Sequence, residues 1–89
     1  MGKDLKYGRV TTEHGTIGED EPVVVFRARD INLPKVLAYY HLFCMQEGSP
    51  EYHLNLIRES RDEVLAWQDL FSDQVKVPDS ETSKSWMNG

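Results

Sequence analysis

The residues of this chain best equipped for chemistry are His41, Cys44 and His53. His41 and Cys44 stand three apart, which on a helix puts an imidazole and a thiol on one side, and His53 follows across a turn. Together they could offer zinc three ligands. A structural zinc site takes four ligands in paired spacings, whereas this chain has one cysteine and no second pair. Cys44 also lies between Phe43 and Met45, where a thiol serves as a small hydrophobe. Read as an imidazole-activated nucleophile, the same pair lacks an orienting third group and oxyanion donors. The carboxylates of Glu19, Asp20 and Glu21, and of Asp62 and Glu63, fall in a polar loop and a helical first turn, where solvation and the helix dipole already favour acids. No glycine-rich phosphate loop is present. The sequence therefore leads to the expectation of no catalytic residues, no metal site and no cofactor.

Binding chemistry is better represented. Val23 to Arg29 (VVVFRAR) alternates along an expected strand, so that Val23, Val25, Arg27 and Arg29 share the outward face while Val24, Phe26 and Ala28 face the core. A hairpin centred on Gly18 would bring Arg9 opposite Arg27. Guanidinium groups bind carboxylates and phosphates bidentately, so Arg9, Arg27 and Arg29, with Val23 and Val25 beside them, form a candidate partner-binding stripe. The plain alternative is a solvated strand face. Trp86, in a polar setting near the C-terminal end, either docks on its own domain or anchors a partner, because tryptophan is over-represented among residues that dominate binding energy.

Composition limits the partners. The 89 residues carry 15 acidic and 10 basic side chains for a net charge of -5, which opposes bulk attraction to DNA, RNA or an anionic membrane. A protein partner is the leading expectation; a nucleic-acid-binding regulator using the arginine stripe and a structural or self-assembling protein are the alternatives. Met1 to Lys6 is charged and unlike a signal peptide, and the lone Cys44 has no internal disulfide partner, so a cytoplasmic location is expected. The longest apolar stretch, Val36 to Met45, contains His41 and is too short to span a bilayer.

These side chains must be positioned by few elements. Tyr7 to Glu13 is rich in β-branched and aromatic residues and is expected to pair with Val23 to Arg29 across the Gly18 to Pro22 breaker. Asp30 or Asn32 and then Pro34 announce a helix that ends at Gly48. It carries two apolar stripes. One holds Leu33, Val36, Leu37, Tyr40 and Cys44, the other Ala38, Leu42 and Met45; the second either packs under the hairpin or forms a dimer seam. Ser49 and Pro50 open a further helical region reaching Phe71. Within it Ser60, followed three residues later by Glu63, matches a capping box and suggests a break into two helices; an unbroken helix would instead align His53, Ile57, Ser60, Val64, Trp67 and Phe71. The expected class is α+β, an N-terminal hairpin packed against two or three helices (ββαα or ββααα), with a single domain over residues 1–75 and a polar tail over 76–89. So small a chain has little with which to cover both stripes, so a homodimer is a further expectation.

The segments GRVTTEHGTIGEDEPVVVFRARD, LAYYHLFCMQEGSP and VLAWQDLFSDQVKVPDSE resemble small uncharacterised proteins encoded by bacteriophages of actinobacteria. The resemblance spans most of the chain and contains no motif of known chemistry. It implies a setting, a phage product in a bacterial cytoplasm. Proteins of this kind commonly bind and redirect a host protein, counter a defence system or assist assembly, and no site residue follows from it.

Overall fold

Asp4 and Gly8 bracket a three-residue loop that folds the chain's start back on itself. The Asp4 Oδ1 accepts the backbone amides of Lys6 at 2.8 Å and Tyr7 at 2.7 Å, and Gly8 adopts φ 84°, a left-handed conformation that costs glycine nothing. Strands β1 (Gly2–Asp4) and β2 (Gly8–Val10) thereby pair antiparallel, with Gly2 opposite Val10 and Lys3 opposite Arg9. The computed structural model describes residues 1–78. On its other edge β1 is flanked by a non-strand segment, where Lys3 donates to the Glu21 carbonyl and the Val23 amide donates to the Lys3 carbonyl, each at 3.0 Å. A Cβ on Gly2 would lie 2.8 Å from Val23 Cγ1 and 2.9 Å from Ile17 Cγ2, so this approach requires glycine.

Helix α1 (Leu33–Gln46) starts after an Asx turn in which Asp30 Oδ1 accepts the Asn32 amide at 2.8 Å. It ends in a Schellman motif: Gly48 has φ 81° and donates to the Met45 carbonyl, while Ser49 donates to that of Cys44. Helix α2 (Glu51–Leu70) follows at once and packs along α1, burying Cys44, Leu54 and Ile57 with Leu37 against them. A short 3-10 turn (Ser72–Gln74) then delivers Val75, the most buried side chain among the described residues.

The α+β class and the order of a hairpin followed by two helices are as the sequence led us to expect. Three details differ. The strands are Gly2–Asp4 and Gly8–Val10 rather than 7–13 and 23–29, because a carboxylate-capped loop at Asp4 closes a tighter turn than the acidic 18–22 stretch offers. Helix α2 runs unbroken through Ser60, because continuing it keeps Ile57, Val64 and Trp67 turned to the interior on one side. Lys76 is not the start of a tail: its amide donates to the Arg29 carbonyl at 2.9 Å and its carbonyl accepts the Ile31 amide at 3.0 Å.

Neither strand of the hairpin packs on a helix among the described residues. The segment 20–31 joins the two halves instead. Gln68, on α2, donates from Nε2 to the carbonyls of Ala28 at 2.8 Å and Asp30 at 2.9 Å, and Asp30 and Lys76 form a parallel bridge.

Candidate partner-binding surface

Asp4 reaches across from β1 to this joining segment. Its Oδ2 accepts the Val25 amide at 2.8 Å, so one buried carboxylate, 5% exposed, serves three amides on two segments. The hydrogen bonds from Tyr7 and Val25 hold its pKa below the ordinary carboxylate value against the opposing effect of burial, and the Lys6 amide and charge add to the lowering. Val25 is thus fixed in space although it belongs to no strand.

Two depressions meet at Val25. On one side lies a cleft of about 140 Å³ whose walls include Lys6 and Tyr7 from the hairpin turn, Phe26, Arg27, Arg29 and the single acid Asp30 from the joining segment, and Lys76. The Lys6 ammonium stands 5.4 Å from the Tyr7 ring centroid, a cation–π approach. Arg27, Arg29 and Lys76 form no ion pair with any described residue, and the chain places these cations together against an overall charge of -5. On the other side is a wider hollow of about 550 Å³ bordered by Leu5, Pro22, Val23 and Val24. Leu5 is fully exposed and Val24 74% exposed, so an apolar strip adjoins a basic cleft. The cleft is well below the roughly 300 Å³ at which small-molecule sites begin.

The expected stripe is only partly assembled. Arg27, Arg29 and Val25 all reach the cleft, from an irregular segment rather than from one face of a strand. Arg9 does not join them: it lies opposite Lys3, points its Nη1 at Met1 Sδ (3.8 Å) and opens onto a separate hollow with Glu19 and Asp20. Val23 turns partly inward against Gly2, whereas Val24 and Phe26, expected in the core, are exposed. With no sheet partner beyond Val23, strand alternation does not govern which side chains of 24–29 are covered. Trp86 lies outside the described residues. Lys6, Tyr7 and Lys76 were not anticipated; the Asp4-to-Gly8 turn signature could have located the first two, but nothing local marks Lys76 as a neighbour of Arg29.

His41, Cys44 and His53 sit elsewhere, in and beside the helical pair. Cys44 is a buried free thiol, the His53 ring meets the Tyr40 ring edge-on at 6.0 Å, and His41 Nε2 is buried without a hydrogen-bond partner. Hydrogen bonding with the Cys44 thiol raises the Tyr40 phenol above its ordinary pKa. Among the described residues no three His, Cys, Asp or Glu side chains are grouped to hold a metal ion, and no helix is long and apolar enough to cross a membrane.

No protein-family model matches the chain, and comparisons with curated proteins and with solved structures gave no significant match.

Proposed function

We propose that this chain is a non-enzymatic interaction protein that binds an acidic segment of another protein across the surface around Val25. The observation that carries this reading is the junction at Val25 of a cationic cleft, with Arg27, Arg29 and Lys76, and an apolar hollow, with Leu5, Pro22 and Val24. An extended peptide could set carboxylates against the guanidinium groups and an apolar side chain in the neighbouring hollow. Three hydrogen bonds to Asp4 and two from Gln68 hold the backbone beneath this surface, which lowers the ordering cost of binding. A bacterial cytoplasm and a host or phage protein as partner, as the resemblance implies, belong to the same proposal.

Capture from a bacterial lysate with and without nuclease, comparing the tagged chain with an Arg27→Glu, Arg29→Glu double variant of unchanged helicity, tests it. The expected result is a nuclease-resistant protein retained by the parent and lost by the double variant. Equal retention by both would overturn the assignment, and retention that disappears with nuclease would replace the acidic peptide with a phosphate backbone as ligand. Displacement of Arg9 from the stripe disfavours that second outcome.

A further inference from the structure

Arg27, Arg29 and Lys76 line the cleft together and form no ion pair with any described residue. Its one acid, Asp30, already has Oδ1 engaged by the Asn32 amide at 2.8 Å. Like charges gathered in a cleft repel one another until a counter-charge lies among them. The acidic run Glu19 to Glu21 does not supply it, since none of those three side chains lines the cleft. Pro78, at the end of the described residues, does line it. The chain therefore leaves the described fold at the cleft wall, and the residues that come next are Asp79, Ser80 and Glu81.

We infer that residues 79–89 of the same chain occupy this surface in the free protein, with Asp79 and Glu81 against Arg27, Arg29 and Lys76, and Trp86 in the apolar hollow beside Leu5, Pro22 and Val24. The order of chemical types along the segment matches the order along the surface. Two acids follow Pro78 closely, where the cationic cleft is. Lys84 and Trp86 come later, and the hollow offers them the carboxylate of Asp20 and an apolar border. The two depressions share Lys6 and Val25. From Pro78 to Trp86 the extended chain spans about 26 Å, enough to cross from one depression into the other. So short a tether holds the segment at an effective concentration of about 1 mM, where contacts too weak to retain a free peptide are populated. Guanidinium groups bind the carboxylates bidentately, and the indole removes apolar surface of Leu5 and Val24 from water. The regulatory consequence rests on the function proposed above: the segment is a built-in competitor, which an acidic partner must displace to bind.

Isotope-filtered nuclear Overhauser spectroscopy of the full chain, as a mixture of labelled and unlabelled copies, tests it. Contacts from the Trp86 indole to the methyls of Leu5 and Val24 within one chain are expected. Arg27→Glu with Arg29→Glu should remove them, and adding Asp79→Arg with Glu81→Arg should restore them, a rescue that a misfolded variant would not show. Absence of these contacts in the parent, contacts only between labelled and unlabelled copies, indifference to the charge reversal, or no rescue in a chain of unchanged helicity overturns the proposal. The proposed function is judged apart. A parent that lacks the contacts yet captures its target sinks this inference alone, and a parent that shows them yet captures nothing sinks the function alone.

Discussion

The Asp4 carboxylate lies 2.8 Å from the amide nitrogen of Val25, twenty-one residues away, while its other oxygen closes the turn that carries Lys6 and Tyr7. One side chain thus joins the two walls of the cleft. Only an ionised carboxylate can accept all three amides without a proton in the way.

Acid should therefore act first at this point. Because the folded-state pKa of Asp4 is depressed, its contribution to stability is fully present above the unfolded carboxylate pKa and is lost as pH falls through the lower folded value. Thermal unfolding followed against pH should show Asp4→Asn less stable than the parent at neutral pH, with the difference shrinking in strong acid. A difference that persists unchanged at the acid end would mean that the charge is not what matters.

Gln68→Leu should cost about 1–3 kcal/mol, because the Ala28 carbonyl loses its donor and that of Asp30 keeps only the Leu33 amide. Chemical denaturation measures the loss, and amide exchange should quicken along 28–31 before it does in the helices. Unaltered exchange there would detach Gln68 from the positioning of Arg27 and Arg29.

Ser60→Ala discriminates between a continuous helix and a capped break. Within an unbroken α2 the exposed Ser60 should gain roughly 0.5 kcal/mol on becoming alanine, the better helix former. Loss of about 1 kcal/mol would instead mark Ser60 as an N-cap. Urea midpoints of the two proteins decide.

His41→Leu should raise stability by about 1 kcal/mol, since it removes a buried ring nitrogen that has no hydrogen-bond partner and keeps an apolar side chain at the position. A fall of similar size would show that the imidazole is satisfied in solution by a group absent from the described residues.

The helical half was the more legible in the sequence, for a physical reason. Pro34, Gly48 and Pro50 act on their immediate neighbours, and the helical spacing of Leu33, Leu37 and Cys44 marks which side is covered, although Tyr40 on the same stripe stays half-exposed. The capping box at Ser60 misled because a local preference worth about 1 kcal/mol yields to the burial of Ile57, Val64 and Trp67. The hairpin was less legible. Its strands have three residues each and derive their pairing from Asp4 and from contacts with 21–23, so β-propensity pointed to the valine-rich run, which pairs only at its start. Arg27 and Arg29 were identified because they are two apart in sequence; Lys76 was not, because forty-seven positions and the whole helical pair separate it from Arg29.

That separation also sets an order in time. As the chain is synthesised, α1 and α2 have all of each other's contacts once residue 70 has emerged, whereas the basic cleft lacks a wall until Lys76 reaches Arg29 and Ile31. The helical pair is consequently complete before the cleft exists, and the cationic wall closes only with the last of the described residues.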